Sequence, residues 1–247
     1  MPEIYIGTSG WAYNHWQKVF YPENLKNNEK LNFYSKYFKT AEINYSFYHL
    51  PKPKTYQNWY NQVPKDFLFA IKISRFITHI KRLKEIKKSW EIFFENAINL
   101  KEKTGPFLLQ LPPTFKCENE NLKRLENFLK ITKETKEKIS LAVETRHKSF
   151  ESPAFFNLLK KYNTALVISD SPSWIKIEKP ELADFVYIRM HGSKKLFSSS
   201  YTKKELEALA KKIKKWQKER QVFVYFNNDA YGFAVKNALT LKSLIKN

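Results

Sequence analysis

Disulfides are the first thing this chain cannot build. A single cysteine, Cys117, among 247 residues excludes an internal cystine framework and a cysteine-rich zinc ribbon. That cysteine usage suits a reducing compartment, so a cytoplasmic protein is expected. No run of ~18 apolar residues occurs, so no membrane-spanning helix and no membrane partner are expected. The chain enters Ile4-Tyr5-Ile6 almost at once, with no basic and then apolar leader before it, so no secretory signal is expected. No strand-like run ends in GxGxxG or GxxxxGK[ST], and there is no HExxH. Gly7-Thr8-Ser9-Gly10 is not GxSxG, and Cys117 has no evident base beside it, so acyl transfer is excluded. Glycine is scarce, at five residues. Arginine is scarce too: of 44 basic residues only Arg75, Arg82, Arg124, Arg146, Arg189 and Arg220 are arginine.

What is present is a strongly basic chain, net charge +20, with 28% charged and 43% hydrophobic residues. Lysine in place of arginine, with abundant Asn, Ile, Phe and Tyr, is the mark of AT-rich coding sequence. The charge is therefore mostly background, and the few glycines and arginines that remain carry information. Extended runs are predicted at Glu3–Gly7, Thr40–Asn44, Phe67–Ile71, Pro106–Leu111, Ile139–Glu144, Thr164–Ser169, Phe185–Met190 and Val222–Phe226. Amphipathic stripes predict helices through Leu83, Ile86, Trp90, Phe93 and Ala97, and through Leu122, Leu125 and Leu129. Others run through Leu206, Leu209, Ile213 and Trp216, opened by a Thr202/Glu205 capping box, and through Ala234, Ala238 and Leu241. Eight strand–helix repeats without a linker predict an α/β fold: one domain over residues 1–247, a (β/α)₈ TIM-type barrel with a parallel sheet. An open doubly wound sheet is the alternative.

In such a barrel the chemistry collects where the strands end. Those ends read Thr8-Ser9-Gly10-Trp11, Glu42-Ile43-Asn44 with Tyr48, Lys72 with His79, Gln110, and Glu144-Thr145-Arg146-His147. They continue with Asp170, Arg189-Met190-His191 and Asn227-Asn228-Asp229. Glu42 and Glu144 stand in apolar strands and need partners or solvent. Gly7, Gly10, Gly192 and Gly232 are expected at the mouth, as are Arg75, Arg146 and Arg189, whose planar forks suit carboxylates or phosphates.

Seven ordered motifs make the sequence resemble one family across its whole length. They are Gly7-Thr8-Ser9-Gly10-Trp11; Glu42-Ile43-Asn44 with Phe47-Tyr48; Phe69-Ala70-Ile71-Lys72 with Thr78-His79; and Gly105-Pro106 with Gln110-Leu111-Pro112-Pro113. Glu144 with Arg146-His147, Arg189-Met190-His191-Gly192 and Phe226-Asn227-Asn228-Asp229 complete the set. Together they resemble the DUF72 (YecE-like) family, and the resemblance implies a TIM-type barrel with a loose relation to sugar isomerases. Two positions depart from the family pattern. Gln17-Lys18-Val19 stands where a glycine often precedes Phe20-Tyr21-Pro22, and Phe150 stands in place of a common Trp.

The expected activity is an enzyme acting on a small polar substrate, sugar-like or anionic, by general acid/base chemistry. Glu42, Glu144, Arg146, Arg189, His191 and Asp229 are the expected catalytic residues. Thr8, Ser9, Trp11, Asn44, Tyr48, Lys72, His79, Gln110, His147, Asn227 and Asn228 are the expected ligand contacts. Glu42 or Glu144 would be the base, His191 or Lys72 the acid, with Arg146 and Arg189 clamping an anion. The cofactor is open. A divalent metal on Glu42, Glu144, Asp170, His191 and Asp229 is possible but not favoured, because Lys72 and the arginines would repel it. Two other readings stay open. One is a nucleic-acid-binding or processing protein, using basic faces at Lys81-Arg82, Lys84, Lys87-Lys88, Lys211-Lys212 and Lys214-Lys215; it is not favoured, because those faces read as solvated outer helices. The other is a non-catalytic barrel that binds a small ligand.

Overall fold

The computed structural model describes residues 1–246. The apolar runs form parallel strands β1 (Ile4–Thr8), β2 (Thr40–Ile43), β3 (Leu68–Lys72), β4 (Thr104–Gln110), β5 (Leu141–Glu144), β6 (Ala165–Leu166), β7 (Ile168–Asp170), β8 (Phe185–Met190) and β9 (Gln221–Phe226). The α-helices among the described residues are α1 (Lys30–Ser35), α2 (Tyr45–Tyr48), α3 (Pro53–Asn61), α4 (Lys87–Ala97), α5 (Asn119–Lys133), α6 (Pro153–Lys161), α7 (Lys203–Trp216) and α8 (Phe233–Lys246). The capping box is present: Thr202 Oγ1 accepts from the Glu205 amide, and the Glu205 carboxylate accepts from the Thr202 amide. The helix predicted from Leu83 begins at Lys87 instead, because Arg82, Leu83 and Glu85 have positive φ and form a turn.

The hydrogen-bond ladders make two parallel sheets, β1-β9-β8-β7 and β2-β3-β4-β5-β6, not the one closed sheet expected. The predicted sixth strand is divided between them. Ala165–Leu166 pairs with β5, Ile168–Asp170 pairs with β8, and Val167 between them donates its amide to Val143 O at 2.9 Å. At the opposite seam the Gly10 amide donates to Glu42 O at 2.8 Å, and Ser9 bridges Glu42. Gly7 shows how close that approach is, since a Cβ there would meet Thr40 O at 2.2 Å.

Strand period two sorts the side chains. One face packs under the helices. The other gathers Tyr5, Ala70, Leu108, Ala142, Ala165, Val167, Phe185, Tyr187, Phe223 and Tyr225, from both sheets, into one buried cluster. Two residues further along the same faces come Lys72, Gln110, Glu144, Ser169, Arg189 and Asn227. The interior thus changes from apolar to polar in one step, at the C-terminal ends of the strands.

Candidate active site

The polar layer begins with a closed network. Glu42, Glu144, Arg189 and His191 are fully buried. Arg189 grips Glu42 with both arms of a fork, Nε to Oε2 at 3.0 Å and Nη2 to Oε1 at 2.7 Å. Its remaining nitrogen, Nη1, donates to Glu144 Oε2 at 2.7 Å. Tyr187 and Ser9 hydroxyls donate to the two Glu42 oxygens, each at 2.7 Å. Ser169 donates to Glu144 Oε1 at 2.7 Å, and His191 Nε2 lies 2.8 Å from the same oxygen. His191 Nδ1 then accepts from Asn227 Nδ2 at 3.1 Å, so the imidazole is fixed as the Nε2–H tautomer.

The electrostatics follow from burial against pairing. Burial alone would raise both glutamates, but their partners together outweigh it: Arg189, Lys72 and Tyr187 hold Glu42 below the usual carboxylate range, and Arg189, His191 and Arg146 hold Glu144 well below it. Burial would likewise weaken Arg189 as a cation; Glu144 and Glu42 more than reverse that and raise it. For His191 burial prevails over Glu144, and the ring is pushed down toward the neutral form. At neutral pH neither glutamate is a ready base, and His191 has no nitrogen left over. These four residues, expected to do chemistry, are joined mainly to one another.

Above them opens a cavity of about 940 Å³, lined among others by Asn44, Lys72, Arg75, Gln110, Arg146 and Asn227. Lys72 is 8% exposed, and its Nζ sits 4.0 Å from the centre of the Phe47 ring. None of the ion pairs among the described residues includes it, because the nearby carboxylates already serve Arg189. Burial, with Arg189 adding repulsion, pushes the Lys72 ammonium down to about 7. Arg146 lies 3.8 Å from the Trp174 ring centre and donates to Gln110 Oε1 at 3.0 Å. Its nearest carboxylate, Glu144, is 4.0 Å away, and its Nε is buried without an acceptor. Asn44 Oδ1 is likewise buried without a donor. His79 is held down to about 4 by burial and by Lys72, with its Nδ1 2.8 Å from Thr78 Oγ1. Asp229, at the rim, is raised by burial to about 6 while taking Trp16 Nε1 at 2.8 Å and facing His15 Nε2 at 2.8 Å.

Of the residues read from sequence, the cavity brings together Asn44, Tyr48, Lys72, His79, Gln110, Arg146, Arg189, Asn227 and Asp229. Glu42, Glu144, His191 and Ser9 lie beneath it in the network. Thr8 bonds Gly10 O and Tyr34, and Trp11 lines a neighbouring groove. His147 Nδ1 accepts from the Ser149 amide, and Asn228 ties Ser199 O to Asn237. These four shape loops and do not line the cavity. Tyr13, His15, Phe47, Phe197 and Ser198 line it without having been singled out as contacts, and Ser169 and Tyr187 join the network unannounced. Tyr187 was findable, since it lies two residues before Arg189 on the same strand, whereas Ser169 adjoins Asp170 and so faces the other way from the residue chosen on its strand.

A metal fits these residues poorly. Among the described residues no three His, Cys, Asp or Glu side chains converge on one point. Arg189 occupies the space between Glu42 and Glu144 where a cation would sit, while Asp170 holds Tyr201 at 2.8 Å and Lys176 at 2.5 Å. The lysines at 211, 212, 214 and 215 lie on the exposed face of α7. No helix among the described residues is long and apolar enough to cross a membrane.

Comparison with known proteins places this geometry in a family. Protein YunF of Bacillus subtilis, of the UPF0759 group, is 26% identical over 98% of this chain and 94% of its own length. A crystal structure of a DUF72 family protein from Thermotoga maritima superposes with a TM-score of 0.88 at 27% identity, covering 99% of this chain and 100% of that one. The apo 3-keto-D-glucoside 4-epimerase of Escherichia coli shares the fold alone, with a TM-score of 0.58 at 13% identity over the full length of both chains. Residues 5–247 match the family described as "Protein of unknown function DUF72". The chain belongs to the DUF72 family.

Proposed function

We propose that the two sheets act as one (β/α)₈ barrel, joined at the Gly10–Glu42 and Val143–Val167 seams, and that the cavity at its mouth is the active site of an enzyme. Its substrate is a small, polar, anionic compound, hydroxylated in the manner of a sugar acid or sugar phosphate. The observation that carries this reading is the placement of Lys72 and Arg146. Both face the cavity, and both lack a close carboxylate partner of their own because Arg189 holds Glu42 and Glu144. A cavity lined by cations that have no close carboxylate of their own is a site for an anion. Gln110, Asn44 and Asn227 add neutral hydrogen-bonding groups that suit hydroxyls. Arg75 adds a further cation to the lining.

Lys72 is the group assigned to move the proton. An amine held near neutrality exists in both forms at working pH, which general acid/base catalysis requires. Glu42 and Glu144 serve as the counter-ions that set the position of Arg189, and His191 with Asn227 fixes the orientation of Glu144. The shared fold of a sugar epimerase is compatible with this assignment, although fold alone does not fix chemistry.

The test is solvent exchange. The protein is incubated in D₂O with glucose 6-phosphate, fructose 6-phosphate, ribose 5-phosphate and glucuronate, and carbon-bound protons are followed by NMR. Wild type should wash deuterium into at least one compound, and Lys72→Met, folded by circular dichroism, should not. Wild type that neither exchanges nor binds any of them would remove the proposal.

A further inference from the structure

A second depression adjoins the cavity and differs from it in chemistry. It encloses about 430 Å³ and is walled by Trp11, Trp59, Tyr45, Tyr48, Leu31 and Ile43. In a chain whose residues are 28% charged, none of the residues lining this groove is charged, whereas Lys72, Arg75, Arg146 and Arg189 all face the cavity. The polar groups of the groove are neutral amides, Asn27, Asn28, Asn44 and Gln62. Aromatic faces with neutral amides at their edges suit an uncharged ring that carries hydrogen-bonding groups on its rim.

The groove and the cavity are continuous. Tyr13, Asn44 and Tyr48 line both. The buried Asn44 Oδ1, which has no donor, stands at that junction and calls for a hydroxyl or N–H from whatever crosses it. Trp59 meets Trp11, Tyr45 and Tyr56 edge-on, at 86–89°, and none of these rings lies parallel to it. Tyr48, 71% exposed, forms the ridge between the two spaces.

We infer that the groove is a second subsite of the same active site, and that the substrate is bipartite: an anion at Lys72 and Arg146, a hydrogen-bond donor at Asn44, and an uncharged ring against Trp59 and Tyr48. This rests on the anion reading above and adds the ring, which a glycosylated sugar phosphate or a nucleoside phosphate would supply.

Calorimetric titration separates the two claims. The probes are inorganic phosphate, glycerol 3-phosphate, trehalose 6-phosphate and uridine 5′-monophosphate. At least one ring-bearing phosphate should bind about tenfold or more tighter than glycerol 3-phosphate, the order expected for one ring on an aromatic face. Which of the two gains distinguishes a sugar ring from a base. Trp59→Ala, in the groove alone, should remove most of that gain and leave glycerol 3-phosphate affinity unchanged, and Tyr48→Ala, on the ridge shared by both spaces, should remove most of the gain as well. Arg146→Gln should weaken every probe. Equal affinity for ringed and ringless phosphates overturns the subsite and leaves the anion site standing, as does a ring gain that survives both aromatic variants. Failure of all four probes to bind overturns the anion reading, and the subsite with it.

Discussion

Lys72 supplies a prediction whose size can be worked out beforehand. An ordinary lysine, near 10.5, is neutral in about one molecule in 3,000 at pH 7. Lys72, held down to about 7 by its burial and by the repulsion of Arg189, is neutral in about half. The free-amine population therefore favours Lys72 by about 1,500-fold over an exposed lysine. Intrinsic nucleophilicity falls with basicity, however. With a Brønsted coefficient of about 0.4–0.5, taken from thiols, the loss over this range is about 40-fold. The net preference is still about 40-fold, and the cavity gives a small reagent access. Trace acetylation with acetic anhydride at pH 5–11, followed by peptide mapping, reads this residue by residue. Labelling of Lys72 should rise with a midpoint near 7, while the surface lysines rise together some three pH steps later. The sign is fixed by the cause, since removing Glu42 or Glu144 removes an anion that favours the charged amine. Glu144→Gln should therefore move the Lys72 midpoint further down. A Lys72 profile that follows the surface lysines, with a midpoint above 9.5, would refute both the assigned role and its electrostatic reasoning.

Three further outcomes follow from the buried network and its supports. Arg189→Met leaves two buried carboxylates unpaired and should cost about 3–5 kcal/mol in urea unfolding, whereas adding Glu42→Gln and Glu144→Gln should recover most of the loss. A single-variant loss under about 1 kcal/mol would mean that water reaches the glutamates. Glu144 is depressed in the folded chain, so its contribution to stability is full above the unfolded value near 4.5 and disappears as pH falls through the lower folded value. The gap between wild type and Glu144→Gln in urea melts should accordingly be widest at pH 6–8 and shrink below 4.5; a gap that grows on acidification contradicts the assignment. Gly192→Ala places a side chain at φ +104° with its Cβ 2.6 Å from Lys195 O, and should lower the melting temperature by several degrees, about 1–3 kcal/mol of strain.

Much of this site was readable because a parallel strand exposes its alternation directly in sequence. Lys72, Gln110, Glu144, Arg189 and Asn227 each end an apolar run, so both their strand and their height in the interior follow from counting in twos. The scarce glycines were informative for a similar reason. Gly10, Gly192 and Gly232 have positive φ, and Gly7 and Gly105 press against neighbouring backbone. Connecting loops resisted the same treatment. Trp174 over Arg146, and Phe197 beside the cavity, come from segments without periodicity, where only tertiary contacts decide which way a ring turns. The division of Thr164–Ser169 between two sheets was hidden as well, because a strand that changes partner keeps the same alternation.

Pairing was the part that residue types alone misstated. Two glutamates, an arginine and a histidine at one mouth read as acid, base and clamp. Once folded, the arginine has three nitrogens committed to the two glutamates and the histidine has both of its own engaged. Lysine could not replace Arg189, because one ammonium cannot present a fork to Glu42 while also reaching Glu144. That requirement gives a physical reason for arginine at this position in a chain that mostly uses lysine. Arg189 offsets one of the two carboxylate charges and occupies oxygens of both, Arg146 at 4.0 Å from Glu144 offsets the other, and the cations Lys72 and Arg75 are left facing the cavity with no carboxylate bonded to them. On the proposed reading Glu42 and Glu144 act through where they hold Arg189, and replacing either should alter ligand charge preference before it alters any proton transfer.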